Sequence, residues 1–358
     1  MRYALCAWRF SKGDPMKAII KATQEAGSLE VKEFPTPRPG PRDVLVKMKA
    51  TGFCYTDISI LNNKYKGRKP VPIPVILGHE GAGIVAEAGR DVKNVAVGDR
   101  VALEALWGCG TCVNCVNGHK NMCTDWEHIG ITCHGTFAEY VVVPGDLAHR
   151  LPDSVSFVDA AFLEPISLTV RTLEHVKPLV ADTVAIVGPG SIGLFHVQAF
   201  KAAGASKIIV IGLDQDAKRF EIARKLGADE IVNASHEDAV KKVRELTGGL
   251  GADIVVETAN SPSVLSSVID MAAARGRVAL FGLYPEATIS PVNLLRSGLT
   301  LFGDVGLVPY HFARAMRWVE YKKVLAQPIV SRGFRLDEAK EALKAFYQGD
   351  TAKVLFEM

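Results

Sequence analysis

Cys109, Cys112, Cys115 and Cys123 fall in the run GCGTCVNCVNGHKNMC, a spacing of C-x2-C-x2-C-x7-C. Four thiolates this close can converge on one tetrahedral Zn²⁺ at about 2.3 Å each, a closed arrangement with no position left for a reactant. The lobe is rich in Gly, Asn and His and poor in apolar residues, so the metal rather than burial would order it. Free or disulfide-bonded cysteines are the other reading. Disulfide frameworks belong to small secreted domains, however, and this chain has 358 residues. The expected role is structural, and the chemistry must lie elsewhere.

A second set of residues supplies it. GFCYTD offers Cys54 with Thr56 and Asp57, ILGHEGAG offers His79 with Glu80, and FLEPIS offers Glu164. Thiolate, imidazole and carboxylate all ligate zinc, and three protein ligands plus one open position is the catalytic pattern. Each residue alone has a plainer reading: a packed thiol, a turn histidine, a carboxylate at a helix start. Together, ahead of a nucleotide motif, they read as a second metal site.

That motif is Gly188-Pro-Gly190-Ser191-Ile192-Gly193, entered from the strand-like run TVAIVG and followed by a helical pattern. Strand, glycines and helix in that order form a dinucleotide site: Gly188 for the tight turn, Gly190 for close approach of the pyrophosphate, Gly193 for helix–strand packing. The free N–H groups of the helix start then hold the phosphates. An acid for the ribose 2′-hydroxyl belongs about 20 residues on. Asp214 follows Gly193 by 21 positions, yet the strand KIIVIG finishes at Gly212, which then competes for that place. Lys218 and Arg219 lie near enough in sequence to meet a 2′-phosphate. NAD is expected, with NADP as the alternative.

The elements that must position these residues fall into two textures. From Met16 to about Pro152 short apolar runs are broken by Gly and Pro (VLVKMKATG, VILGHEGAGIVAEAG, FAEYVVVP), which signals strands and turns. The first fifteen residues read as an extension to a domain starting at Met16. From about Phe157, continuous apolar strands alternate with amphipathic helices, the pattern of βαβ units on a buried parallel sheet. After about Gly306 come two helices and a final strand, KVLFEM. At this length two domains are expected. With 48% hydrophobic and 23% charged residues and a net charge of +3 without basic clusters, the composition is that of a soluble globular protein lacking a nucleic-acid footprint. No apolar run is long enough for a membrane span and the N-terminus has no signal-peptide pattern. Seven cysteines, four of them in the lobe, fit a reducing cytoplasm.

In order and spacing, GFCYTD, GHEGAG, GDRV, the four-cysteine lobe, GTFAEY, the EP dipeptide, GPGSIG, GADIVVE and GDTAKV resemble the zinc-dependent medium-chain alcohol dehydrogenases, closest to the polyol (sorbitol) and threonine dehydrogenase branch. The resemblance covers nearly all of the chain from Met16. It implies a GroES-like β-rich catalytic domain over 1–165 and 307–358, with the structural zinc lobe at 108–124, and a doubly wound Rossmann domain over 166–306. It makes Cys54 and His79 ligands of a catalytic zinc. In the alcohol dehydrogenases proper the third ligand is a cysteine; here Glu164 stands in its place, as in the polyol branch, and Glu80 competes with it as the direct ligand. Two zinc ions per chain are expected.

The implied reaction is Lewis-acid activation of a secondary alcohol (a polyol, sugar alcohol or 3-hydroxy amino acid), followed by hydride transfer to NAD(P) to give the ketone. Zinc takes bound water from a pKa near 16 to about 7, and comparable acidification of the alcohol is worth roughly 12 kcal/mol. By the same resemblance Thr56 relays the proton, Asp57 orients His79, and Lys353 meets the cofactor's phosphates. Two departures stand out: Ser59 where the family often has the histidine completing the proton path, and Cys133-His134 where glycine is more usual. A homodimer or homotetramer is expected. The rival readings, a zinc-free quinone or enoyl reductase or a metal-stabilised binding module, are disfavoured. The first lacks both cysteine sets, and the second needs basic or aromatic clustering beyond His119 and Lys120.

Overall fold

A computed structural model describes residues 9–348 and 352–358 of the chain. Among the described residues ten strands precede the one that enters the nucleotide motif: β1 (Arg9–Lys21), β2 (Leu29–Arg38), β3 (Asp43–Phe53), β4 (Val75–Ile76), β5 (Glu80–Ala88), β6 (Arg100–Leu103), β7 (Leu106–Trp107), β8 (Glu127–His128), β9 (Tyr140–Pro144) and β10 (Ala148–Arg150). Here one expectation is corrected. The first strand begins at Arg9, not Met16, because its early residues pair with the end of β2 (Arg9 opposite Arg38, Phe10 opposite Pro37). Residues 1–8 of the expected extension, and 349–351 of the GDTAKV run, lie outside the described residues.

The next six strands, β11 (Thr183–Val187), β12 (Lys207–Gly212), β13 (Glu230–Asn233), β14 (Ala252–Glu257), β15 (Ala272–Leu280) and β16 (Thr300–Gly303), form one parallel sheet in the order β13-β12-β11-β14-β15-β16. This is the doubly wound nucleotide-binding order, whose ligand crevice opens where β11 and β14 lead the chain in opposite directions. Val184, Ala185, Ile186 and Val187 are all buried, as expected for a strand covered by helices on both faces.

The chain then returns. β17 (Val330–Phe334) and β18 (Lys353–Glu357) complete the first unit's seven-stranded sheet, in which β18 lies antiparallel to β3 (Val354 opposite Phe53) and β5 flanks β3 on its other side (Gly52 opposite Glu80). Three buried rings lock this junction: Phe53 and Phe137 at 5.5 Å, Phe137 and Phe356 at 5.0 Å. Truncating a ring buried in this way costs about 3–5 kcal/mol.

Six helices matter for the site: α1 (Tyr55–Leu61), α2 (Val113–Val116), α3 (Phe157–Ala161), α4 (Leu163–Val176), α5 (Ser191–Ala202) and α6 (Ala217–Leu226). A single buried cluster joins Ala50, Ala82 and Ala102 of the first unit to Phe162 and Ile166 at the α3–α4 junction and to Leu194 of the second. No helix among the described residues is long and apolar enough to cross a membrane.

Candidate metal centre and nucleotide crevice

Cys54 follows directly on the ring-locked end of β3 and caps α1. Its N–H donates to Asp57 Oδ2 at 2.9 Å, while Asp57 Oδ1 accepts the Gly78 N–H at 3.1 Å and lies 3.5 Å from His79 Nδ1. The buried Asp57 carboxylate thus ties the cysteine's helix to the turn that presents His79. His79 and Glu80 arrive together because β5 starts there, in register with Gly52. Glycine is required opposite: a Cβ on Gly52 would stand 2.1 Å from Glu80 Oε2.

Ligand atoms of Cys54, His79 and Glu80 all lie within 4.8 Å of one another. Burial alone would lower the His79 imidazole, but the charges of Asp57 and Cys54 outweigh it and hold the ring well above its usual value. The pocket therefore favours positive charge. His79 Nδ1 and Glu80 Oε2 are buried without hydrogen-bond partners, whereas buried polar atoms are nearly always satisfied. With the Asp57 carboxylate 3.5 Å from His79 Nδ1, the imidazole, the unserved Glu80 oxygen and the Cys54 thiol together make a donor set suited to zinc.

Glu164, the other candidate third ligand, stands outside that trio on the first turn of α4. It remains a neighbour. Burial, reinforced by Glu80, pushes its carboxyl up to about 7 against the opposing pull of His79, Lys353 and Arg171. Lys353, expected at the cofactor's phosphates, is placed differently: its buried ammonium donates to Glu80 Oε1 at 2.7 Å and sits over the Phe162 ring. The β18–β3 pairing carries it there. Thr56 is half-buried on α1, two residues past Cys54.

Sequence reasoning passed over His128. This buried histidine on β8 has its ring edge-on to His79, with centroids 5.4 Å apart. Burial first, then the neighbouring His79, push it down to about 3. Nothing in the run WEHIG signals a site, and only the β7–β8 pairing brings it near. Cys133 and His134, by contrast, serve the local framework: Cys133 is buried, and His134 Nδ1 accepts the Ile76 N–H at 3.1 Å.

In the four-cysteine lobe the sulfurs of Cys109, Cys112, Cys115 and Cys123 also lie within 4.8 Å of one another, and all six described cysteines are free. Cys112 and Cys123 sulfurs are 3.8 Å apart, matching the ~3.8 Å edge of a tetrahedron with 2.3 Å metal–sulfur bonds. Backbone N–H groups of Cys109, Cys112 and Asp125 point at sulfur, each at 3.3 Å. The backbone N–H groups of Thr111 and then Cys112 draw the Cys109 thiol down to about 6, while burial pushes Cys115 up to about 12. Four sulfurs at these distances fit around one tetrahedral cation.

On the nucleotide side, Gly188 turns with φ +101° between β11 and α5, and a Cβ on Gly193 would stand 2.1 Å from the Gly188 carbonyl oxygen. A Cβ on Gly190 would meet nothing within 4 Å, so glycine there leaves open space at the start of α5, whose first turn has no acidic residue. This fits a pyrophosphate. Ser191 and Ile192 form that first turn. β12 ends at Gly212, and Asp214 lies exposed just beyond, its Oδ1 accepting from Asn233 Nδ2 and His236 Nε2 at 2.7 Å each. Arg219 on α6 pairs with the buried Asp216 at 2.9 Å. A cavity of about 390 Å³ lies between the units, lined by Tyr55, Ser59 and Asn62 from one side and Gln215 and Arg219 from the other. The helix capped by Cys54 therefore also walls this cavity.

Residues 40–153 match the model of the alcohol dehydrogenase GroES-like domain, and residues 191–321 that of the zinc-binding dehydrogenases. A sorbitol dehydrogenase of Halalkalibacterium halodurans is 33% identical, with 95% of this chain and 98% of that one aligned. An L-threonine 3-dehydrogenase of Bacillus velezensis is 35% identical over 96% of this chain and 99% of that one. Among solved structures, a zinc-binding dehydrogenase from Sinorhizobium meliloti bound to NADP superposes with a TM-score of 0.88 at 32% identity, covering 97% of this chain and 100% of that one.

Proposed function

Since the chain belongs to the zinc-dependent medium-chain alcohol dehydrogenases, which oxidise alcohols with NAD(P), we propose that Cys54, His79 and Glu80 hold its catalytic zinc. We further propose that Cys109, Cys112, Cys115 and Cys123 hold a second, structural one. The observation that carries this is the convergence of the Cys54, His79 and Glu80 ligand atoms within 4.8 Å of one another, with Glu80 Oε2 buried and unpartnered among them. The working organisation is a catalytic unit of 1–165 and 307–358 and a nucleotide unit of 166–306. The substrate is a secondary alcohol of the polyol, sugar-alcohol or 3-hydroxy-amino-acid type, by kinship with the sorbitol and threonine enzymes. The setting is a cytoplasmic homodimer or homotetramer.

Zinc, when bound, supplies Lewis acidity toward the alcohol oxygen. Asp57 holds the Cys54 helix and the His79 turn in mutual register, the orienting task of a carboxylate behind a ligating histidine. Thr56 takes the hydroxyl proton and passes it toward the crevice, where Ser59 and water stand in for the family's histidine. Glu164 exchanges a proton near neutrality, and Lys353 balances the Glu80 charge. Gly190 and the start of α5 seat the pyrophosphate, and Asp214 engages the ribose 2′-hydroxyl and repels a 2′-phosphate, which favours NAD.

Metal analysis of active protein should return two zinc ions per chain, and a chelator should remove activity before the fold. One zinc or none in active protein would refute the two-site reading. For the cofactor, the ratio of kcat/KM for NAD over NADP should fall roughly 5- to 150-fold in Asp214→Ala, the equivalent of 1–3 kcal/mol. An unchanged ratio would pass the role to Gly212 and its neighbours.

A further inference from the structure

His128 is held from two directions. Its backbone N–H donates to Thr132 Oγ1 at 2.8 Å, and its Nδ1 lies 2.8 Å from the Ile129 carbonyl oxygen. A carbonyl oxygen only accepts, so Nδ1 carries the hydrogen and the lone pair of the neutral ring sits on Nε2. That nitrogen makes no hydrogen bond among the described residues, and the residue keeps 8% of its surface accessible. The ring stands edge-on to His79 at 5.4 Å on one side and edge-on to Trp126 at 5.7 Å on the other. The loop around it is anchored by Lys69, which bridges Asp125 at 2.8 Å and Glu127 at 2.6 Å. A fixed acceptor with no partner of its own therefore lies one ring away from a candidate metal ligand.

We infer that His128 is a substrate-positioning residue whose Nε2 accepts a hydrogen bond from a second donor on the carbon next to the reacting alcohol. This rests on the proposed catalytic role of Cys54, His79 and Glu80, and assigns a partner to the vicinal hydroxyl or ammonium group that the proposed substrates carry. A monoalcohol brings no such donor to Nε2, and a site that hydrogen-bonds a substrate group discriminates against the analogue lacking it. The contact binds and orients; it does not take part in hydride transfer.

The test compares 2,3-butanediol, 3-amino-2-butanol and 2-butanol, which share one carbon skeleton. Each is measured as kcat/KM and as an equilibrium dissociation constant with the zinc-loaded, cofactor-bound enzyme. Wild type should favour the diol or the amino alcohol over 2-butanol by roughly ten-fold or more, and whichever is favoured identifies the donor. His128→Phe keeps a ring of similar shape without an acceptor and should erase the preference while sparing 2-butanol. His128→Gln, which places an amide oxygen near the lost nitrogen, should restore part of it. An equal loss toward all three compounds, a preference intact in His128→Phe, or no preference in wild type would overturn the inference. Preferential binding of the diol or amino alcohol without turnover of any compound would sink the catalytic reading and leave this contact standing.

Discussion

The two metal-competent sites of this chain are built in opposite ways. In the lobe all four donors come from Cys109–Cys123, they are chemically identical, three of them are only half-buried, and backbone N–H groups already serve the sulfurs. In the crevice the three donors are chemically different, come from the end of β3 and the start of β5, are closed off by a lysine from β18, and leave the buried Glu80 Oε2 unserved. A site that only has to hold a metal can be local and saturated. A site that has to use one is assembled from distant strands and keeps unsatisfied valence for the reaction. The lobe is nonetheless bolted to its surroundings: Arg68 donates to the Asn121 and Cys123 carbonyls, Lys120 pairs with the fully buried Glu104 at 2.6 Å, and Asn121 reaches Asp304 and the Val305 carbonyl across the units.

The contrast is broken most sharply by paired cysteine replacements. Cys54→Ser should cut turnover at least 10³-fold and leave thermal unfolding nearly unchanged, since a metal ligand of the chemical step is lost. Cys112→Ser should instead lower the unfolding temperature or prevent assembly, with near-normal turnover in whatever folds. Matching effects on both readouts would erase the distinction.

Next in size, Thr56→Ala should reduce kcat by about 10²-fold with cofactor affinity unchanged, because a proton relay acts only in the chemical step. A fall in NAD affinity instead would make Thr56 a binding residue.

Lys353→Met sharpens the comparison from the side of charge. Removing one partner of a buried pair costs about 3–5 kcal/mol. Metal-free protein should lose that much stability while the zinc-loaded form loses much less, the cation taking over the balance of Glu80. Denaturant midpoints with and without zinc measure it, and equal losses would place Glu80 outside the metal's reach.

The smallest effect is on pH. The His79 value in the metal-free fold lies above the ordinary 6.5, so its protonation stabilises that fold fully below the unfolded value, and the contribution fades as pH rises through the folded one. The gap in Tm between zinc-loaded and metal-free protein should therefore widen from about pH 6 upward. A gap that narrows would reverse the charge assignment.

Legibility in the sequence followed the range of the contacts. The cysteine lobe and GPGSIG are short and self-contained, so spacing alone pointed to a cluster and to a strand–glycine–helix turn, and both are present as read. The choice between Glu80 and Glu164 depends on how β5 registers against β3, which no local pattern carries. Lys353 was expected at phosphates because its position near the C-terminus resembles the family's; the β18–β3 pairing sets it against Glu80 instead. His128 was invisible because its neighbour His79 is 49 positions away in the numbering and no motif links them. The start of β1 at Arg9 was missed because GDP, three residues that usually break strands, interrupts it.

The β18–β3 pairing has a consequence for how the protein is made. Val354 faces Phe53 across 301 positions of chain, and closing a loop of that length in a flexible polypeptide costs about 5 kcal/mol of entropy. Every strand from Thr183 to Gly303 belongs to the parallel sheet and needs no partner from outside it, so that sheet can form while β18 has yet to leave the ribosome. Once folded, it shortens the effective tether between the two halves of the other unit and lowers the cost of their meeting. Until then Glu80 has no lysine and β3 has an open edge. On this topology the nucleotide fold can form before β18 reaches β3, so the metal-competent site closes only after the parallel sheet is available to draw its two halves together.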